Sequence, residues 1–186
     1  MTIGKRFSPL QRLLHWLMAA MILAMLFIGV GMLSTVTPKY LPLLETHKTV
    51  GIIILVLAAI RLVVRLVAGT PPLPADLPEP MKLGAHASQY LLYALMIAMP
   101  LIGWGMMSAA AYPVVLFGHI QLPPILPQSD LLHSYLWNAH RCLAFAFFAT
   151  VLLHVAAALF HGLIRRDGVF ESMSPVPSRS EIPPAE

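Results

Sequence analysis

His140-Arg-Cys-Leu-Ala-Phe-Ala-Phe-Phe-Ala-Thr-Val-Leu-Leu-His154 lies inside a longer apolar run that continues to His161 and stops at Arg165 and Arg166. Fourteen residues at about 100° each come to about 1400°, within roughly 40° of whole turns, with a rise of about 21 Å. On one helix, both imidazoles therefore leave the same face at opposite depths of a membrane. An ionisable group inside an apolar helix is expensive, so it reads as functional and needs a partner.

Composition puts this helix in lipid. The chain has 186 residues, 58% hydrophobic and only 11% charged, with a mean hydropathy of +0.77. That is too apolar for a soluble domain of this length. The single cysteine, Cys142, excludes an internal disulfide, and the lack of any C-x-x-C-H excludes covalent c-type haem. The first apolar run, 13–33, is too long for a signal-peptide core and has no small-residue cleavage pattern, so it is expected to stay as a mature helix.

Outward from the fourth helix, the pattern predicts an all-α membrane protein, a four-transmembrane-helix bundle over 1–170. Its helices fall at about 9–33, 46–68, 83–109 and 132–164. Ser8 and Pro9 suit the cap and first position of the first helix. The proline-rich stretch 70–80 reads as a stiff extended linker. Pro100 is expected to kink the third helix. The connection 110–130, with Pro113, Pro123, Pro124 and Pro127, is expected to lie along the membrane surface. The polar tail 171–186 is expected to be disordered. There is no internal repeat.

Basic residues set the orientation. Lys5, Arg6, Arg12, Arg61, Arg65, Lys82, Arg165, Arg166 and Arg179 fall on one side, and Lys39, Lys48 and Arg141 on the other. Both termini are thus expected in the cytoplasm. The net charge of +4 is a topology signal and implies no nucleic-acid partner.

The histidines then sort by depth. His47 and His140 begin helices entering from outside, whereas His15 begins one entering from inside and His154 lies far down the fourth helix. Two neutral imidazoles on opposite faces of a porphyrin are what a b haem needs, and facing helices of a bundle supply them. His47 with His140 would make an outer pair. His154 would make the inner pair with His15 or, as the rival, with His86 on the third helix. His161, seven residues beyond His154, lies closer to the surface. Two stacked haems, with irons about 20 Å apart by helix rise, would carry electrons across the membrane.

A lone transmembrane histidine is often no more than an interhelical hydrogen-bonding residue, and four at matched depths weaken that reading. His119 and His133, in or beside a loop, read as solvated surface residues, and the eleven methionines as core and lipid-facing filler. Arg61, fourteen residues after His47, comes off a similar face at the inner depth, where haem propionates would answer its charge. Arg65, one turn on, is expected to snorkel to lipid phosphate. Lys48 and Arg141, each following an outer histidine, would bind outer propionates or draw in an anionic substrate.

Several runs together resemble the bacterial cytochrome b-561 family, which includes the superoxide oxidases. They are Leu14-His15-Trp16-Leu17-Met18-Ala19, His47-Lys48-Thr49-Val50-Gly51, Arg61-Leu-Val-Val-Arg65, Pro71-Pro72-Leu73-Pro74, His86 with Tyr93, Pro100-Leu-Ile-Gly103-Trp104, His140-Arg141, and His154 to His161 ending in Arg166-Asp167-Gly168. The likeness covers about 5–170. It implies an inner-membrane, multi-pass bundle with two b haems, held by His15 with His154 and by His47 with His140, which decides against His86 as a ligand. Relatives often carry His-x-x-His at the start of the third helix and His-His near the end of the fourth; here Gln89 and Gly162 take the second positions.

The resemblance further implies a superoxide:ubiquinone oxidoreductase, with ubiquinone as acceptor and His86 and His161 at a quinone or proton site. The alternatives are a cytochrome subunit fed by a separate dehydrogenase or hydrogenase chain, and a haem-free carrier or metal transporter using the histidines and methionines.

Overall fold

Each long helix starts and stops where local chemistry allows it. In the computed structural model, which describes residues 6–35 and 37–176, Ser8 and Gln11 exchange hydrogen bonds in a capping box. The Gln11 amide donates to Ser8 Oγ at 3.3 Å and the Ser8 amide to Gln11 Oε1 at 2.9 Å. This opens α1 (Pro9–Ser34). Helix α2 (Tyr40–Ala68) begins earlier than the sequence pattern indicated, because Pro42 falls in the first turn, where its missing N–H costs no intrahelical bond. It ends at Gly69, whose φ of 69° lets its amide donate back to the Arg65 carbonyl at 3.0 Å.

Helix α3 (Glu79–Ala109) likewise takes Pro80 into its first turn, with Glu79 at the positive end of the helix dipole, and continues through Pro100. Helix α4 (Asp130–Leu159) starts at Ser129, whose hydroxyl accepts from the Leu132 amide at 3.3 Å. It passes directly into a π-helical turn, Phe160–Arg165. That turn closes at Arg166, in the left-handed region with φ 53°, whose amide donates to the His161 carbonyl at 2.7 Å.

The 110–130 connection is not a plain surface loop. Strands β1 (Val114–Leu116) and β2 (Ile120–Leu122) pair antiparallel, with Val114 opposite Leu122 and Leu116 opposite Ile120. Phe117 and Gly118 at the tip have φ of 53° and 79°, the sign pattern of the turn whose twist suits a hairpin. Val114 and Leu116 are buried, so the hairpin packs down onto α2 and α3.

The segment expected to be a loose tail is ordered at its start. Helix α5 (Val169–Met173) folds back toward α1, where Trp16 Nε1 donates to the Met173 carbonyl at 2.9 Å and Arg12 and Arg6 donate to the Ser174 carbonyl. Lys5, Arg179 and the rest of the tail, 177–186, lie outside the described residues. The bundle thus has a terminal end, where Arg6 meets Ser174 and Val176 beside α5, and a hairpin end.

The four long helices are each apolar enough to cross a membrane, and side chains such as Phe27, Val67 and Leu153 stand exposed on the outside. The protein is a membrane protein. Its core is a single layer midway along the bundle, made of Met18 and Ile22, Ile54 and Ala58, Leu95 and Met96, and Phe147, drawn from all four helices. Helix α1 packs along α2, α2 along α3 and α3 along α4, and histidines of α4 face histidines of α1 and α2.

Candidate functional site

Two imidazole pairs face each other across the bundle, one above and one below the core layer. The ring centres of His15 on α1 and His154 on α4 are 6.2 Å apart, with planes at 63°. Those of His47 on α2 and His140 on α4 are 6.1 Å apart, with planes at 66°. A metal bound between two imidazoles by bonds of about 2 Å sets the ring centres roughly 6 Å apart, so both spacings suit one. Among the described residues no hydrogen bond joins the two rings of either pair, and all four residues are half-buried.

The His47–His140 pair has an unmet chemical demand. The Nδ1 atoms of both residues are buried with no hydrogen-bond partner among the described residues, a state that costs about 1–3 kcal/mol per group. The Met99 carbonyl of α3 acts on His140 without reaching hydrogen-bonding geometry at Nδ1. Gly103 closes the site from α3, since a Cβ there would lie 3.4 Å from His140 Cε1. Two imidazoles set apart, an orphaned nitrogen on each and a glycine cradle together fit a b haem.

At the His15–His154 pair the surroundings are cationic. Arg61 Nη2 lies 2.9 Å from His15 Nδ1. Arg65 does not snorkel away: its Nη2 donates to Gln89 Oε1 at 3.0 Å. Both guanidiniums lie over the Tyr93 ring, at 5.8 and 5.6 Å. The inward turn of Arg65 follows from the polar Gln89 on the neighbouring helix.

The remaining residues singled out from sequence divide. His161 is buried in the π-helical turn, its Nδ1 2.7 Å from Asp167 Oδ2, and Arg165 Nε donates to the same oxygen at 2.7 Å while its Nη2 reaches Asp76. Burial alone would raise the Asp167 carboxyl; hydrogen bonds from His161, the Val169 amide and Arg165 outweigh it and hold the carboxyl below its ordinary range. His86 is exposed on α3 and is not joined to His161. At the hairpin end, Lys48 Nζ donates to the Pro113 carbonyl at 3.4 Å, and Arg141 is exposed. His119 is exposed, whereas His133 is half-buried with Nδ1 3.0 Å from the Met106 carbonyl, so it is a structural residue of the α3–α4 contact rather than a solvated one.

Asp167, the partner of His161, was not singled out from the sequence. Its signal was present, since a carboxylate six residues after a helical histidine can meet it only if the helix ends or widens between them, as the π-helical turn does.

The family described as "Prokaryotic cytochrome b561" matches residues 6–175. The chain is 30% identical over 174 residues to the "Probable superoxide oxidase CybB" of Yersinia pestis, covering 92% of this chain and 97% of that one. It is 28% identical over 172 residues to "Cytochrome b561 homolog 2" of Escherichia coli K12, covering 91% of each. It is 27% identical over 178 residues to "Cytochrome b561 homolog 1" of the same strain, covering 91% and 97%.

Proposed function

The chain belongs to the prokaryotic cytochrome b561 family of membrane electron-transfer proteins, which bind b haems, and from that premise we propose that it holds two b haems and passes electrons from superoxide to ubiquinone. The observation that carries this reading is the repetition on α4: His154 opposite His15, and His140 opposite His47, at nearly equal spacings on either side of the core layer. The relative named as a probable superoxide oxidase supports the choice of donor. On this reading the chain lies in the bacterial inner membrane with both termini cytoplasmic, as its basic residues favour.

His15 and His154 would hold one haem at the terminal end, and His47 and His140 the other at the hairpin end. A bound b haem would supply a one-electron iron couple whose potential follows its ligands, burial and nearby charge. Met18, Ile54, Ala58 and Phe147 exclude water from the layer between the two histidine pairs. Lys48 and Arg141 give the outer surface the positive charge that draws in superoxide and steers its approach. Two superoxide anions each lose one electron and leave as oxygen; ubiquinone takes the two electrons with two protons and leaves as ubiquinol. His161, oriented by Asp167, and the exposed His86 are the proton-bearing groups at the terminal end, where the quinone is reduced.

The test is ubiquinol formation by the purified protein in enzymatically generated superoxide, at low and high salt, for wild type and Lys48→Gln. One ubiquinol per two superoxides, with a rate that falls with salt and with the substitution, is the expected result. A protein inert to superoxide but reduced by a co-purifying dehydrogenase would instead make it an electron-transfer subunit of a larger complex.

A further inference from the structure

Arg61 and Arg65 lie one turn apart near the terminal end of α2, over the same Tyr93 ring of α3. Among the described residues, no carboxylate is within ion-pair distance of either one. The ion pairs there join Lys82 to Glu79, Arg165 to Asp76 and Asp167, and His161 to Asp167. Two like charges thus share one aromatic ring inside an apolar bundle. An aromatic face offsets part of such a cost, and a cation at this depth still calls for an anion.

Arg61 also stands beside a proposed haem ligand, its Nη2 2.9 Å from His15 Nδ1, so the unanswered positive charge lies at the edge of the His15–His154 site.

Resting on the two-haem reading above, we propose that Arg61, Arg65 and Tyr93 form a clamp for the carboxylates of the haem held by His15 and His154. Each guanidinium offers a planar fork that matches a carboxylate. Tyr93 stacks both forks, and Gln89 fixes Arg65 by its 3.0 Å hydrogen bond. Two positive charges beside that haem would favour the reduced, less positive iron and so raise its potential.

Redox titration and haem content of purified wild type, Arg61→Gln and Arg65→Gln test this. Removing a charge lowers the cost of a transmembrane helix, so both variants should insert. Each variant is expected either to fall from two haems per chain toward one, or to keep both while the reduction equilibrium of one drops about tenfold, about 59 mV, with the other midpoint unmoved.

Two haems with unchanged midpoints in both variants would overturn the clamp. So would loss of tightly bound phospholipid in place of haem, which would mark the anion as a lipid phosphate. A wild type without haem sinks the two-haem reading itself, and is distinguished from failure of the clamp alone, in which wild type carries both haems.

Discussion

Gly103 is the position where a single methyl group measures how tightly the hairpin-end site is built. A Cβ added there would lie 3.4 Å from His140 Cε1 and 3.7 Å from Nδ1, so Gly103→Ala asks the ring to give by a few tenths of an ångström at most. Gly103→Val adds two further carbons, each about 1.5 Å beyond Cβ, and the stiff χ1 of valine in a helix keeps both from turning away. A branch directed at the ring comes within roughly 2–2.5 Å, far inside the 3.5–4.0 Å contact distance of carbon atoms. His140 must therefore shift by about 1 Å or more, whereas a functional constellation tolerates about 0.5 Å. Overpacking of this kind costs about 1–3 kcal/mol, or roughly 5- to 150-fold in haem affinity. The assay is haem content with a redox titration that resolves the two haems. Gly103→Ala should keep both, and Gly103→Val should lose or destabilise only the one at His47 and His140. Two unaltered haems in Gly103→Val would refute the reasoning, because the ring would then not need the space that the glycine leaves.

Other consequences lie away from the histidine pairs. Because folding lowers the Asp167 pKa, its stabilisation is fully present above the unfolded carboxylate value of about 3.9 and is lost as pH falls through the lower folded value. Hydrogen exchange over 160–174 should therefore be flat with respect to Asp167 from pH 8 to about 4, after correction for intrinsic rates, and speed up below. Asp167→Asn should speed it up already at neutral pH; equal protection in the two proteins would contradict the network. Gly118→Val puts a branched residue at φ 79°, at a cost of roughly 1–2 kcal/mol. The hairpin amides should then exchange faster while haem content stays at the wild-type value, and unchanged exchange would mean that the turn relaxes freely.

Where the chain was legible, one simple periodicity carried the signal. The fourteen-residue interval between His140 and His154 fixes a shared face on any straight helix, and apolar runs of membrane-spanning length survive as helices because lipid leaves the backbone no other hydrogen-bond partners. What was missed depends on tertiary partners or on small changes of register. The three-residue strands Val114–Leu116 and Ile120–Leu122 are too short for alternation to declare itself, and the Phe117-Gly118 turn between them lies among prolines that mark the whole stretch as a loop. Helices α2 and α3 start earlier than their apolar runs because Pro42 and Pro80 each sit in a first turn, where proline is tolerated. The π-helical turn at 160–165 changes the hydrogen-bond register without any composition of its own, and it is what brings Asp167 to His161. The inward turn of Arg65 required knowing that Gln89 and Tyr93 of another helix stand beside it.

The most direct test of the central claim is a pyridine haemochrome assay with a visible spectrum on the purified protein, for wild type and His154→Ala. The account predicts two b haems per chain in wild type and one in the variant, with the pair at His47 and His140 intact. A colourless wild type, or a haem content that the substitution leaves untouched, would contradict it.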